Sequence, residues 1–230
     1  MSAEYTVSEV LKLACSAQRA NNAYLKEAES VYTSDGMFVC LKYDNKTLIR
    51  HALGIETFGN TEQEFRPATL QIEEQDAVLT EEIKSYYRRL MFAAVKGDNE
   101  FQTEINSILN SETVGKNKIG FLACLPSVYA RDKTRSEFKR NIKKCEDRYL
   151  AEVSTVIVDK DCEILESVKS KTFEGYNISA IIDSVMVSWF SKLPVNIGPA
   201  VLIKGKVKEH RHHWFTKNFE TRLNYVKVIQ

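Results

Sequence analysis

From about Tyr149 to Ile229 the apolar residues recur with a period of two, and no helical segment interrupts them. Glu152 to Val158 alternates, and Cys162 to Phe173 continues after the turn signal Asp159-Lys160-Asp161. Tyr176 to Ile182 and Val185 to Phe190 are separated only by Asp183-Ser184. The loop SKLPVNIGP precedes Ala200 to Glu209, a His-rich loop follows, and Thr221 to Ile229 closes the series. Five or six short strands without an intervening helix predict a small β-barrel rather than a βαβ unit.

The first part of the chain reads differently. Val7, Val10, Leu11 and Ala14 recur at helical spacing behind a cap at Thr6 or Ser8. Val31 to Leu41 is β-rich and broken by Ser34-Asp35-Gly36, which predicts a hairpin. Leu48 to Phe58 reads as a further strand ending at Gly59-Asn60. Leu79 to Lys96 reads as a helix capped at Thr80, with Ile83, Tyr86 or Tyr87, Leu90 and Ala94 as its stripe and Gly97 as its stop. A second helix is expected from Asp98, carrying Phe101, Ile105, Ile108 and Leu109. Lys116 to Lys144 reads as two helical pieces joined near Pro126. The expected fold is therefore α+β, with a mainly helical domain and a small β-element over residues 1–145 and a barrel over 146–230.

With 230 residues, 43% of them hydrophobic, a core can be buried without staples. Five scattered cysteines with no C-x-x-C pair argue for a reducing compartment, and a cytoplasmic location is expected. The first twenty residues lack a basic leader with an apolar core, and no apolar run is long enough to span a bilayer, so no membrane partner is expected.

The net charge of +1 conceals a segregation. Residues 56–82 hold eight acids against Arg66 alone, residues 131–148 eight bases against four acids, and residues 200–230 seven bases against Glu209 and Glu220. In V-L-I-K-G-K-V-K, alternation puts Val201, Ile203, Gly205 and Val207 on one face and Lys204, Lys206 and Lys208 on the other. That lysine row runs into His210, Arg211, His212, His213, Trp214 and Phe215. Cations for phosphates beside flat rings for unstacked bases are what single-stranded nucleic acid requires. The plainer reading is lysines blunting an exposed strand and aromatics filling the barrel mouth.

Catalytic signatures are missing: there is no phosphate-loop, dinucleotide or H-E-x-x-H motif. The histidine cluster lacks a Cys or acidic companion for a metal, and Cys124 lacks a His and acid in sequence. No enzyme, cofactor or metal is expected.

The run Asp183 to Ser191, then Gly198, then Ile203 to His210, then Glu220 to Val228 resembles a module of phage-encoded proteins. Its pattern there is a strand ending in Trp-Phe, G-x-V-K-x-H, and a closing T-x-L-N-Y-V-K-V. Gly120 to Arg131 and Arg148 to Val153 are similar to the lead-in of those proteins, so the resemblance spans residues 119–230. The resemblance implies an OB-fold-like barrel and single-stranded DNA binding in phage replication, recombination or repair, in the host bacterial cytoplasm. This chain departs from it in carrying Ser154 where the family has Gly, and in an aromatic HRHHWFTKNF loop. It also stops at Gln230, just after the closing strand, which favours a plain binder over an organiser acting through an acidic tail.

Sequence-independent binding of single-stranded DNA is thus expected. Lys204, Lys206, Lys208, Arg211, Arg222 and Lys227 would meet phosphates, and Trp214, Phe215, Tyr176 and Phe173 would stack bases. Trp189 reads as core, and Tyr225 as ambiguous. The alternative is an interaction adaptor whose acidic stretch 56–82 docks on a host or phage polymerase or nuclease, and phage replication or recombination proteins are the expected protein partners. A nuclease with acidic metal ligands is the third reading.

Overall fold

The computed structural model describes residues 4–58, 62–93 and 100–230, and it is mixed α+β. It divides into two compact units, one up to Asp132 and one from Lys133.

The first unit is built on α1 (Val7–Asn21), whose Thr6 hydroxyl accepts from the Glu9 amide. Val10, Leu11 and Ala14 are fully buried against Leu48, Ile49, Ile83, Ile105 and Leu122. A short strand β1 (Glu4–Thr6) pairs with β4 (Thr113–Gly115), and β2 (Glu29–Tyr32) pairs with β3 (Phe38–Lys42) across the Ser34-Asp35-Gly36 turn. The expected strand from Leu48 is instead helix α2 (Asn45–Ala52). Asp44 caps it by accepting from the Thr47 amide, and the adjacent pair Leu48-Ile49 is buried on one face, which strand alternation forbids.

Helix α3 (Glu74–Ala93) begins earlier than Thr80 suggested. The Asp76 carboxylate reaches back to the Glu73 amide, and Thr80 is a buried interior residue whose hydroxyl donates to the Asp76 carbonyl. Helix α4 (Glu100–Leu109) buries Ile105, Ile108 and Leu109. The expected turn at Gly59-Asn60, Ala94, the stop at Gly97 and the start at Asp98 lie outside the described residues. The two pieces expected around Pro126 are one helix, α5 (Ile119–Ile142), with Pro126 inside it. Its first half belongs to the first unit and its second half to the other.

The second unit is a closed five-stranded, OB-like barrel in the order β5 (Val156–Lys169), β6 (Tyr176–Ile182), β7 (Val185–Ser191), β9 (Phe219–Ile229), β8 (Gly198–His212). All neighbours are antiparallel except β7 and β9, where Val187 faces Thr221. Closure removes every free edge. Ile164, Ile178, Ile182, Val187, Leu202 and Trp189 fill the interior, while Phe138 and Ile142 of α5 pack outside against Met186. The turn signal at Asp159 does not end a strand. Asp159 takes a φ of 49° within the continuous β5, and pairing with β8 skips it.

Asp183 and Ser184 both have positive φ, 48° and 61°, which makes the β6–β7 connection a two-residue primed turn. Asp183 also pairs with Lys160 at 2.7 Å. Ser184→Gly removes the side-chain strain and keeps that pair. It is expected to stabilise the protein by about 0.5–1 kcal/mol, read as a higher denaturant midpoint at unchanged slope.

Candidate nucleic-acid interface

Strand β8 does not alternate in one phase along its length. Ala200 and Leu202 point inward, Val201 is exposed, and from Gly205 and Val207 the inner set falls on odd numbers. The expected common face of Val201 with Gly205 and Val207 is therefore corrected: an irregularity in the β8–β9 register between Leu202 and Lys206 separates them. Lys204, within it, and Lys206 and Lys208 after it stand together on the outer face as the spacing predicted.

Three strands build that face. Lys204 lies between Val158 of β5 and Lys227 of β9, and Lys206 lies between Val156 and Asn224. Val156 and Val158 are exposed there. Tyr225, ambiguous in sequence, has a φ of 54° at the matching irregularity of β9 and is 79% exposed. Among the described residues Lys204, Lys206, Lys208 and Lys227 have no ion pair. Lys204 and Lys227 are directly opposed like charges, which destabilise a sheet unless an anion sits over them.

The two arginines of the predicted set are engaged within the protein. Arg211 stands across from Glu220 and donates to it at 2.7 Å, and Arg222 donates to Glu209 at 3.1 Å. Glu220 is fully buried and also accepts a hydrogen bond from the Ser188 hydroxyl. Of the aromatics, Trp214 is 73% exposed at the tip of the 213–218 loop. Phe215 carries the Arg135 guanidinium 4.3 Å and the Lys139 ammonium 4.5 Å from its ring centre, so bases of the basic run 131–148 already cover it. Phe173 and Tyr176 lie with the 170–175 hairpin, whose neighbour Ser191 leads into the loop before β8. Trp214 follows the far end of β8, so those two residues are at the opposite end of the barrel from it.

His210 and His212 lie within the strand that was expected to have ended, not in a loop. His210 stacks on Tyr149 at 4.0 Å with its Nε2 2.8 Å from the Ala151 carbonyl. Ser154 keeps a left-handed φ of 75°, and its amide donates to the Val207 carbonyl. The tight lead-in turn is thus made without the glycine of the resembled module.

His213 is buried, its Nδ1 accepting from the Thr216 amide at 3.2 Å. Burial pushes its pKa below the ordinary value; Glu220 opposes that shift, and Arg211 and Lys217 add to it. The unfolded chain then binds the proton first, so stability present above about pH 6.5 declines as pH falls below it. Melting temperature should drop through that window in the parent protein and flatten in His213→Asn.

Among the described residues no three His, Cys, Asp or Glu side chains are placed to hold a metal ion. Nor is any described helix long and apolar enough to cross a membrane. Burial raises the Cys124 thiol pKa, and its Sγ donates to the Phe121 carbonyl. No family model, curated protein or solved structure matches the chain.

Proposed function

We propose that the outer face over β5, β8 and β9 binds single-stranded DNA without sequence preference, in phage DNA replication, recombination or repair within a bacterial host. The observation that carries this reading is the row of unpaired lysines closed by the Lys204–Lys227 opposition, with exposed Tyr225 beside it. Successive row lysines are about 7 Å apart at strand rise, so a flexible anionic backbone can follow them. Tyr225, and Trp214 at the loop tip, supply rings for bases. The phage setting is supported by the motif resemblance of residues 119–230.

Arg211 and Arg222 are not free donors, because each is neutralised by its pairing with Glu220 or Glu209. Oligonucleotide binding titrated with salt tests the reading: log affinity should fall steeply and linearly with log salt. Binding that is absent at low salt, or indifferent to salt, would overturn it.

The adaptor reading draws less support from the acidic stretch than composition suggested. Asp76 is buried and paired with Arg19, Glu56 with Arg50, and Glu82 accepts from the Tyr129 hydroxyl.

A further inference from the structure

The end of the barrel away from Trp214 presents large apolar side chains on loops that are tied down. Leu193 is 74% and Ile197 67% exposed, and Val168 is exposed nearby. The Ser191 hydroxyl donates to the Leu193 carbonyl at 2.6 Å, and the Val195 amide donates to the Ser167 hydroxyl at 3.1 Å, fixing the 192–197 loop to β7 and β5. On the adjoining hairpin, Gly175 has a φ of 143°, and a Cβ there would lie 2.4 Å from the Phe190 ring. Large apolar side chains left exposed on a loop held in place in this way mark a docking surface. Lys169, Lys171 and Lys192 rim the patch and have no ion pair among the described residues; Glu174 is the one acid of the hairpin.

The first unit carries the complementary chemistry. Phe65, Ile72 and Val78 are exposed along a stretch where Glu62, Glu64 and Glu74 have no ion pair among the described residues. On α3 an open cleft of about 550 Å³ is lined by Glu74, Gln75, Val78, Leu79 and Glu82. One surface is apolar with lysines and the other apolar with glutamates.

We propose that the occupant of the barrel-end patch is the acidic, apolar face of α3 from a second copy of this chain, giving head-to-tail association. The two surfaces differ, so each contact pairs the barrel end of one copy with the α3 face of another. The lysine row of β8 is not used, so the contact is compatible with nucleic acid on that face.

Sedimentation velocity of the full-length protein without nucleic acid tests this. Weight-average mass should rise with concentration at low salt and fall toward the monomer at high salt. Lys171→Glu/Lys192→Glu/Leu193→Ser disables the barrel end, and Glu74→Lys/Val78→Ser disables the acidic face; each variant alone should remain monomeric. Mixed in equal amounts they should form a dimer that grows no further, since each retains one working surface. A parent protein that stays monomeric at low salt, a disabled variant that associates like the parent, or a mixture that stays monomeric overturns the proposal. Parent and variants are first matched by circular dichroism and melting temperature, and the parent's own behaviour decides if a variant does not fold. Association that fails while salt-dependent oligonucleotide binding persists removes this contact alone, and the converse removes only the DNA reading.

Discussion

Replacing Lys204, Lys206 and Lys208 together with glutamine should make the slope of log affinity against log salt less negative by about 2, since each phosphate neutralised on a single strand contributes about 0.7. The same change should leave the fold intact and slightly stabilise it. Lys204 faces Lys227 directly across the β8–β9 ladder, and removing one of two opposed like charges recovers about 0.2–1 kcal/mol. Loss of binding together with a small gain in stability is the signature of a surface kept charged for a ligand. Lysines that merely blunt an exposed strand would show the stability change and no binding change. Oligonucleotide titrations at several salt concentrations, with denaturant melts of the same samples, check both halves.

Arg211→Met is expected to destabilise the barrel by about 3 kcal/mol, the cost of leaving a buried carboxylate without its cation. Glu220 is fully buried; its Oε1 takes the Arg211 and Ser188 hydrogen bonds, and its Oε2 has no partner among the described residues. Adding Glu220→Gln to Arg211→Met should restore much of the loss, because the residual cost lies in the charge and not in the shape. A denaturant-melt double-mutant cycle measures the coupling. An arginine whose main role was a phosphate contact would show a small stability effect and a large change in DNA affinity.

The barrel was legible in the sequence because alternation survives through most of its length. Where it was misread, a local backbone irregularity had changed the parity. Asp159 resembled the start of a turn because aspartate tolerates positive φ, and a single left-handed residue within one long strand uses the same property. The irregularity near Lys204 turned Val201 out and Leu202 in, and its counterpart on β9 exposed Tyr225, which alternation alone left ambiguous. The lysine row was visible because Lys204, Lys206 and Lys208 keep a single phase with inward Gly205 and Val207, even though the register with β9 shifts around Lys204. The pairing of Arg211 with Glu220 and of Arg222 with Glu209 was not, because it depends on which residues two strands bring opposite each other. The cations on Phe215 come from α5, nearly eighty residues earlier in the chain, and no local pattern signals them. In the first unit, Asp44 as the cap of α2 was a local signal, but the short apolar run after it fits either period.

The central claim is that the basic barrel binds unstacked nucleic acid, and the tryptophans report on it selectively. Trp189 is inside the barrel and Trp214 is exposed at the loop tip, so a change in emission on binding belongs to Trp214. Titrating the protein at low salt with single-stranded and duplex DNA of equal length should quench emission with the single strand, at lower concentration than with the duplex. Trp214→Phe should abolish the signal. Unchanged emission with both, together with no binding by an independent method, would contradict the account.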